Sequence, residues 1–134
     1  MFELKILSPE GQVFSDNVDE VQLPSSNGEI SILTHHVPLF AKLIEGTITI
    51  KKAGKETIIA ILGGFLEVRH NSVTVLSDYA VKADSIQAAR SLEAKKLAEE
   101  ILKNKQTTAE LIMAEKNLQK SLLELKVADK IKRH

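Results

Sequence analysis

The sequence predicts a mixed fold, with an N-terminal all-β sandwich or barrel in residues 1–84 and a C-terminal antiparallel two-helix hairpin in residues 85–134. Two observations support it. Up to residue 84, short β-branched runs alternate with turn signals at close intervals, which is typical of sandwiches and barrels. From residue 85 onward the chain contains no glycine or proline and is rich in alanine, leucine, lysine and glutamate, which favour helix.

The strands follow from local patterns. Phe2, Leu4 and Ile6 alternate with polar residues, which indicates a first strand with one buried face, and the turn SPEG ends it. Later runs of strand length are VDEVQLP, EISIL, GTITIKK, ETIIAIL, GGFLEV and SVTVLS, separated by the turn signals SSNG, KAG and RHNS. Gly63 and Gly64 open the run GGFLEV, and such glycines predict a bulge or a close backbone approach.

The helices have start signals and thin apolar stripes. Asp84 and Gln87 form a capping-box pattern that predicts a helix starting near Ser85, and Thr107 and Glu110 repeat the pattern before a second helix. The short break between the helices predicts that they fold back on each other. The predicted stripes are Ala94, Leu97, Ala98 and Ile101, then Leu111, Ala114, Leu118, Leu122, Leu125, Ala128 and Ile131. Because buried alanine contributes little, we expect a hairpin that can detach.

Composition excludes several classes of protein. The chain has no cysteine, which rules out disulfides, thiol catalysis and cysteine zinc sites. No apolar run reaches the roughly 18 residues of a membrane span, and the N-terminus resembles neither a signal nor a transit peptide. Residues 1–84 carry 7 Lys/Arg and 11 Asp/Glu, whereas residues 85–134 carry 11 and 7. This asymmetry predicts two parts with different partners, and the lack of an overall basic excess argues against nucleic acid.

The stretch GEISILTHHVPLF is the best candidate for a site. His35 and His36 are adjacent, so on a strand they would point to opposite faces, and Glu29 is the only carboxylate nearby. A structural metal normally takes four ligands, so we expect a protein-contact or packing role instead of metal binding. No nucleophile elbow or phosphate loop is present, and no catalytic residue is predicted.

The basic end of the second helix has two interpretations. Lysines recur there at Lys116, Lys120, Lys126 and Lys130. One interpretation is a solvated helix face. The other is a detachable helix that meets an acidic partner, in which case charge complementarity would favour encounter and orientation more than affinity.

Four motifs in order resemble the epsilon subunit of the rotary (F-type) ATP synthases. They are SPEGQVFS, LPSSNGEISILTHHVPL, GGFLEVRHNSVTVLSDYA and RSLEAKKLAEE, and the order in which they occur along the whole chain matches that of the family. The second motif resembles the family signature P-x-x-x-G-E-x-G-[IV]-L-x-x-H-x-P-L, with Ser31 in place of a glycine and Thr34-His35 in place of the usual Pro-Gly. His36 therefore matches the family histidine, and His35 is a local addition.

The resemblance implies a non-catalytic central-stalk subunit that couples proton flow through the rotor ring to ATP synthesis. It implies that the sandwich binds the gamma subunit and the membrane rotor c-ring, with Glu29 and His36 at the ring contact. It also implies that the hairpin, when extended, inhibits ATP hydrolysis through contacts of Lys116, Lys120, Lys126 and Lys130 with a beta subunit of the catalytic hexamer. The implied location is peripheral, through the complex, on the cytoplasmic side of a bacterial inner membrane, with the stromal side of a thylakoid as the alternative.

Some members of that family bind ATP through an I-[DE]-x-x-R-A motif at the start of the hairpin. The matching residues are Ile86, Gln87 and Arg90, but Gln87 replaces the acid and Ser91 replaces the alanine. A glutamine oxygen accepts a hydrogen bond without charge assistance. The resemblance therefore implies weak or absent binding of ATP as a regulatory ligand, and it implies no other cofactor.

Two other functions stay open on the sequence. One is a β-sandwich adaptor with a coiled-coil tail that has no part in energy conversion. The other is an enzyme, which would need a metal site or a nucleophile that the sequence does not supply.

Overall fold

A computed structural model describes residues 1–35, 37–103 and 108–132, without the side chains of residues 88, 131 and 132. The chain forms two compact units, Met1–Asp84 and Ser85–His134. The first unit is all strand and the second is helical.

The described part of the first unit contains eight strands. They are β1 (Phe2–Ser8), β2 (Gly11–Val18), β3 (Glu20–Ser25), β4 (Gly28–Leu33), β5 (Leu39–Lys52), β6 (Lys55–Arg69), β7 (Ser72–Leu76) and β8 (Ala80–Lys82). Hydrogen bonding orders them β2-β1-β7-β6-β5-β3-β4, and β8 pairs with β6. The β1–β7 pair is parallel and the other pairs are antiparallel.

The core of this unit lies between the layers of a β-sandwich, which confirms the predicted fold class. Alternate residues of the strands point inward, as the period of two requires. The fully buried side chains include Leu4, Ile6, Leu23, Ile48, Ile50, Ile59, Ile61 and Leu66.

Three details of the strands differ from the sequence prediction. ETIIAIL and GGFLEV were expected as separate runs but form the single 15-residue strand β6. The strands β2 and β8 were not predicted. Most residues of β2 are exposed or half-buried, and apolar and polar residues do not alternate in its sequence. The pattern that identifies a strand with one buried face is therefore missing.

The two adjacent glycines in β6 mark a close backbone approach, one of the two alternatives predicted for them. Both have positive φ, at 109° for Gly63 and 146° for Gly64. A Cβ atom at Gly64 would overlap the carbonyl oxygen of Leu76 in β7. The pairing register of β6 with β5 is the same on both sides of the glycines, so the bulge alternative is wrong.

The second unit is a pair of helices, α1 (Ala88–Lys103) and α2 (Thr108–Lys132). They run antiparallel, since Ser91 near the start of α1 bonds to Glu124 in the second half of α2. The predicted start near Ser85 is wrong, because Ala83–Ser85 form a 3-10 turn. The first helical hydrogen bond runs from the Ser91 amide to the Gln87 carbonyl at 3.1 Å, so Gln87 occupies the N-cap position.

The predicted helix stripes are only partly correct. Ala98 and Ala114 are buried as expected, whereas Leu97 is 60% exposed and Leu122 is 44% exposed. Ser91, Ser121, Leu123 and Val127 are buried in addition. The mixture of leucine, alanine and serine allows more than one stripe to be drawn on each helix, and periodicity alone does not choose between them. Thr107 lies outside the described residues, as does the side chain of Ile131.

Candidate functional site

The sandwich presents an exposed apolar face formed by Phe40, Phe65 and Leu76. Phe65 pairs directly with Leu76 of β7 and with Lys42 of β5, so these three side chains lie on one side of the sheet. Phe40 pairs with Glu67, two residues from Phe65, which places the two rings diagonally across β5 and β6. The ring centroids are 5.9 Å apart with an interplanar angle of 24°. Phe40 is 69% exposed and Phe65 is 48% exposed.

An open cleft of about 350 Å³ adjoins this apolar face. Its floor is fixed by Ser77, a buried residue whose hydroxyl lies 2.5 Å from the Gly63 carbonyl oxygen and 2.9 Å from that of Tyr79. The cleft is lined by Leu7, Ser8, Pro9, Gly64, Phe65, Leu76, Ser77 and Asp78. An open cleft beside exposed aromatic rings is an arrangement found where another protein docks.

The loop that contains the histidines is partly described. Glu29 is exposed on β4, where it pairs with Pro24 of β3. His35 is exposed and adopts a positive φ of 68°, which is uncommon for a residue other than glycine. Val37 beside it is also exposed. His36, the predicted partner of Glu29 at the ring contact, lies outside the described residues.

The second unit has a cleft of about 290 Å³ at the start of its first helix. Ile86, Gln87 and Arg90, the three residues predicted from the nucleotide-binding motif, all line it, and so do Ser85, Ser91, Ala94 and Glu124. The structure therefore brings the predicted residues together. It also adds an acidic residue that sequence reasoning missed.

Glu124 supplies this additional carboxylate. The Ser91 hydroxyl donates to Glu124 Oε2 at 2.5 Å, and burial raises the pKa of the Glu124 carboxyl above its usual range. In the sequence, Glu124 is separated from Ser91 by 33 positions and lies between leucines. The one available signal was Ser91 itself, which replaces the alanine of the motif.

The lysines of α2 occupy one side of that helix. At 100° per residue, Lys116, Lys120, Lys126 and Lys130 span about 120° of the circumference. Lys116, Lys126 and Lys130 are exposed, and Lys120 is half-buried. We refer to these four lysines as the α2 lysine face, although the buried Leu123 and Val127 lie within the same arc.

Among the described residues, no three histidine, aspartate or glutamate side chains come together as a metal site would require. No helix in the described ranges is long and apolar enough to cross a membrane.

Comparison with known proteins identifies the family. The family model described as ATP synthase, Delta/Epsilon chain, beta-sandwich domain matches residues 1–83. The chain is 41% identical over 133 residues to the ATP synthase epsilon chain of Dehalococcoides mccartyi, which covers 98% of this chain and 95% of the relative. This chain belongs to the ATP synthase epsilon chain family. An epsilon chain from Desulforamulus reducens is 38% identical over 126 residues, covering 94% of this chain and 96% of the relative.

Solved structures show the same fold as this epsilon-family chain. A chain in the Euglena gracilis mitochondrial ATP synthase structure, titled OSCP/F1/c-ring in rotational state 1, superposes with a TM-score of 0.64 at 20% identity. That match covers 98% of this chain and 80% of the other. A chain in the Tetrahymena thermophila mitochondrial ATP synthase structure, titled central stalk/cring, gives a TM-score of 0.58 at 14% identity, covering 94% and 95%.

Proposed function

We propose that this chain is a non-catalytic central-stalk subunit that couples rotor rotation, driven by proton flow, to ATP synthesis. We further propose that its helical hairpin restrains ATP hydrolysis. The observation that carries the first part is the stacked pair Phe40–Phe65 on the sandwich, in a chain of the epsilon family. Two exposed aromatic rings beside an open cleft favour a permanent protein partner, because such rings are characteristic anchors of interfaces.

The proposed partner of the apolar face is the gamma subunit of the same stalk. The membrane rotor c-ring is the proposed partner of the loop that carries Glu29 and His36. Glu29 supports this assignment by its exposure on β4. Contact with the membrane is then indirect, through the complex, and we propose the cytoplasmic side of a bacterial inner membrane because bacterial relatives are similar over nearly the full length.

The proposed partner of the α2 lysine face is an acidic segment of a beta subunit in the catalytic hexamer. The exposure of Lys116, Lys126 and Lys130 supports this role, since an exposed row of like charges steers and orients an oppositely charged partner. This contact requires the hairpin to open from the antiparallel pair described above, because a beta subunit would have to approach along the length of α2.

The cleft at Ile86, Gln87 and Arg90 is proposed to bind nucleotide weakly or not at all. Arg90 offers one cation for phosphate. Glu124 lines the same cleft and, when ionised, repels the anionic phosphates of ATP. The missing acid at Gln87 removes charge assistance from the contact that the motif would make to the adenine amino group.

Steady-state ATP hydrolysis by a gamma-containing catalytic hexamer tests the proposal. Added full-length chain is expected to suppress hydrolysis and to co-sediment with the hexamer. The Phe40→Ser chain is expected to lose most of that binding while keeping its melting temperature, since Phe40 is exposed in the isolated chain. A wild-type chain that fails to bind the hexamer contradicts the stalk assignment and favours an unrelated adaptor. A chain that binds without suppressing hydrolysis leaves only the coupling role.

A further inference from the structure

Most of the buried side chains of α1 and α2 are small, although Leu123 and Val127 of α2 are buried as well. Ser91 and Ala98 are seven positions apart on α1, and Ala114 and Ser121 are seven positions apart on α2. Seven residues are almost two helical turns, so each pair lies on one side of its helix. Leu102, Leu118 and Leu125 are half-buried.

Small residues at repeated positions distinguish poorly between alignments of two helices. Sliding one helix along the other by seven residues, about 10.5 Å, would place an alanine or serine where another alanine or serine lay before. The apolar area buried would change little, and with it the hydrophobic contribution. Packing of the small residues therefore selects poorly between these two alignments.

The hydrogen bond between Ser91 and Glu124 exists in only one alignment. The hydroxyl and Glu124 Oε2 are 2.5 Å apart, and a shift of one helical turn, about 5.4 Å, would separate them beyond hydrogen-bond distance. Ser91 is 3% exposed, so loss of the carboxylate would leave its hydroxyl buried without that acceptor. The bond is thus directional, buried at one end and specific to one register.

The energetics suit a selecting role better than a stabilising one. Burial raises the pKa of Glu124, so placing a carboxylate here costs free energy. Arg90 lines the same cleft on α1, and Lys120 lies four positions earlier on α2. Polar groups buried between helices are known to fix register at a cost in stability.

We propose that the Ser91–Glu124 hydrogen bond is a register lock that selects one alignment of α1 against α2 and has to break before the hairpin opens. The regulatory meaning of opening rests on the proposed function. The lock itself is a property of the isolated chain. It is therefore tested without any other subunit, and failure of either proposal leaves the other standing.

Nitroxide distances in the full-length chain test the lock. The chain contains no cysteine, so two introduced at the exposed positions Lys96 on α1 and Lys116 on α2 would carry the only labels. Double electron–electron resonance is expected to give one narrow distance distribution for the otherwise native chain. Ser91→Ala is expected to add a second, distinct distance, from chains in which the helices are offset by seven residues, about 10.5 Å along the axis. Ser91→Thr, which keeps a hydroxyl, is expected to stay narrow.

Two further variants separate register selection from simple stabilisation. Ser121→Ala removes the buried serine of α2, which is not part of the Ser91–Glu124 hydrogen bond, and is expected to keep the single distance. Should Ser91→Ala lose helical circular dichroism, the double variant Ser91→Ala/Glu124→Leu provides the test, because it leaves neither partner unpaired. It is expected to be helical but to show two distances. One narrow native distance in both Ser91→Ala and the double variant would overturn the proposal.

Discussion

The ring of Phe40 stacks on the ring of Phe65 across two antiparallel strands, and solvent reaches both. Because the two rings are in contact, they form a single anchor for a partner on this sheet and not two separate ones. A partner that covers one ring must therefore cover or displace the other. The pair should act as a unit in binding.

We expect Phe40→Ala and Phe65→Ala each to weaken binding to the gamma-containing hexamer by at least tenfold. Aromatic anchors commonly contribute ~2 kcal/mol or more on truncation. The double variant should lose less than the sum, since each single variant already disrupts the stack. Binding isotherms for the four chains of the cycle measure this coupling. Leu92→Ala, which removes an exposed leucine from α1, is the control and should bind normally. Strictly additive losses would mean that the rings act separately.

Gly64→Ala should destabilise the sandwich by several kcal/mol. The new Cβ would overlap the Leu76 carbonyl oxygen, which belongs to a strand backbone and cannot rotate away. The positive φ of 146° adds backbone strain. Urea unfolding measures the change in the free energy of unfolding.

Gly11→Ala is the matched control for Gly64→Ala. Gly11 also has a positive φ, at 128°, but nothing lies within 4 Å of its added Cβ. The control variant therefore has backbone strain but no steric overlap, and it should lower the free energy of unfolding by about 1–2 kcal/mol. Equal losses at the two positions would show that the approach to Leu76 is unimportant.

The hairpin should become more stable as the pH falls. The pKa of Glu124 is raised in the folded hairpin above its ordinary value of 4.5, so the closed form binds the proton more readily than the open form. The contribution from protonation is complete below 4.5 and is lost as the pH rises through the folded pKa. The charged side chain that shares the cleft with Glu124 is that of Arg90 on α1.

Amide hydrogen exchange of α2, corrected for intrinsic rates and recorded between about pH 4 and pH 7, measures this dependence. Glu124→Gln should flatten the profile, because the amide does not titrate. Asp16 in the sandwich provides an internal contrast. Its hydrogen bond with Lys52 lowers its pKa, so its contribution is lost as the pH falls. A Glu124→Gln profile as steep as the native one would refute the assignment to Glu124.

Charge reversal on the α2 lysine face should relieve inhibition of ATP hydrolysis. Lys126→Glu/Lys130→Glu replaces attraction to an acidic partner by repulsion, and inhibition by the native chain should itself weaken with added salt. Hydrolysis rates at low and high ionic strength measure both effects. The matched control is Lys96→Glu/Lys103→Glu, the same change of charge on α1. Undiminished inhibition by the first double variant would show that electrostatic attraction plays no part.

The sandwich could be predicted from the sequence because buried residues alternate with more exposed ones along its strands. Leu4 and Ile6 in β1, and Ile48 and Ile50 in β5, are examples of such buried residues. The edge strand β2 could not, since it buries few side chains and therefore has no alternation to detect. The helix start was placed too early because Asp84 and Gln87 have the spacing of a capping box, but a 3-10 turn comes first.

The candidate sites show the same division. Ile86, Gln87 and Arg90 are close in the sequence, and a motif was enough to group them. Glu124 joins them only when α2 folds back along α1, and Phe40 meets Phe65 only through the pairing of β5 with β6. Contacts between distant residues depend on register, which local patterns do not specify.

The parallel pairing of β1 with β7 has a consequence for biosynthesis. Glu3 pairs with Ser72 and Leu7 with Leu76. The backbone hydrogen bonds on this edge of β1, the first strand to be synthesised, can therefore form only after β7 has left the ribosome. Such distant contacts slow folding, because a long loop must close before they form. At about 5–20 residues per second, several seconds of translation separate the two strands. During that interval the nascent chain exposes the unpaired edge of β1, and we expect this stage to be the one most sensitive to chaperones and aggregation.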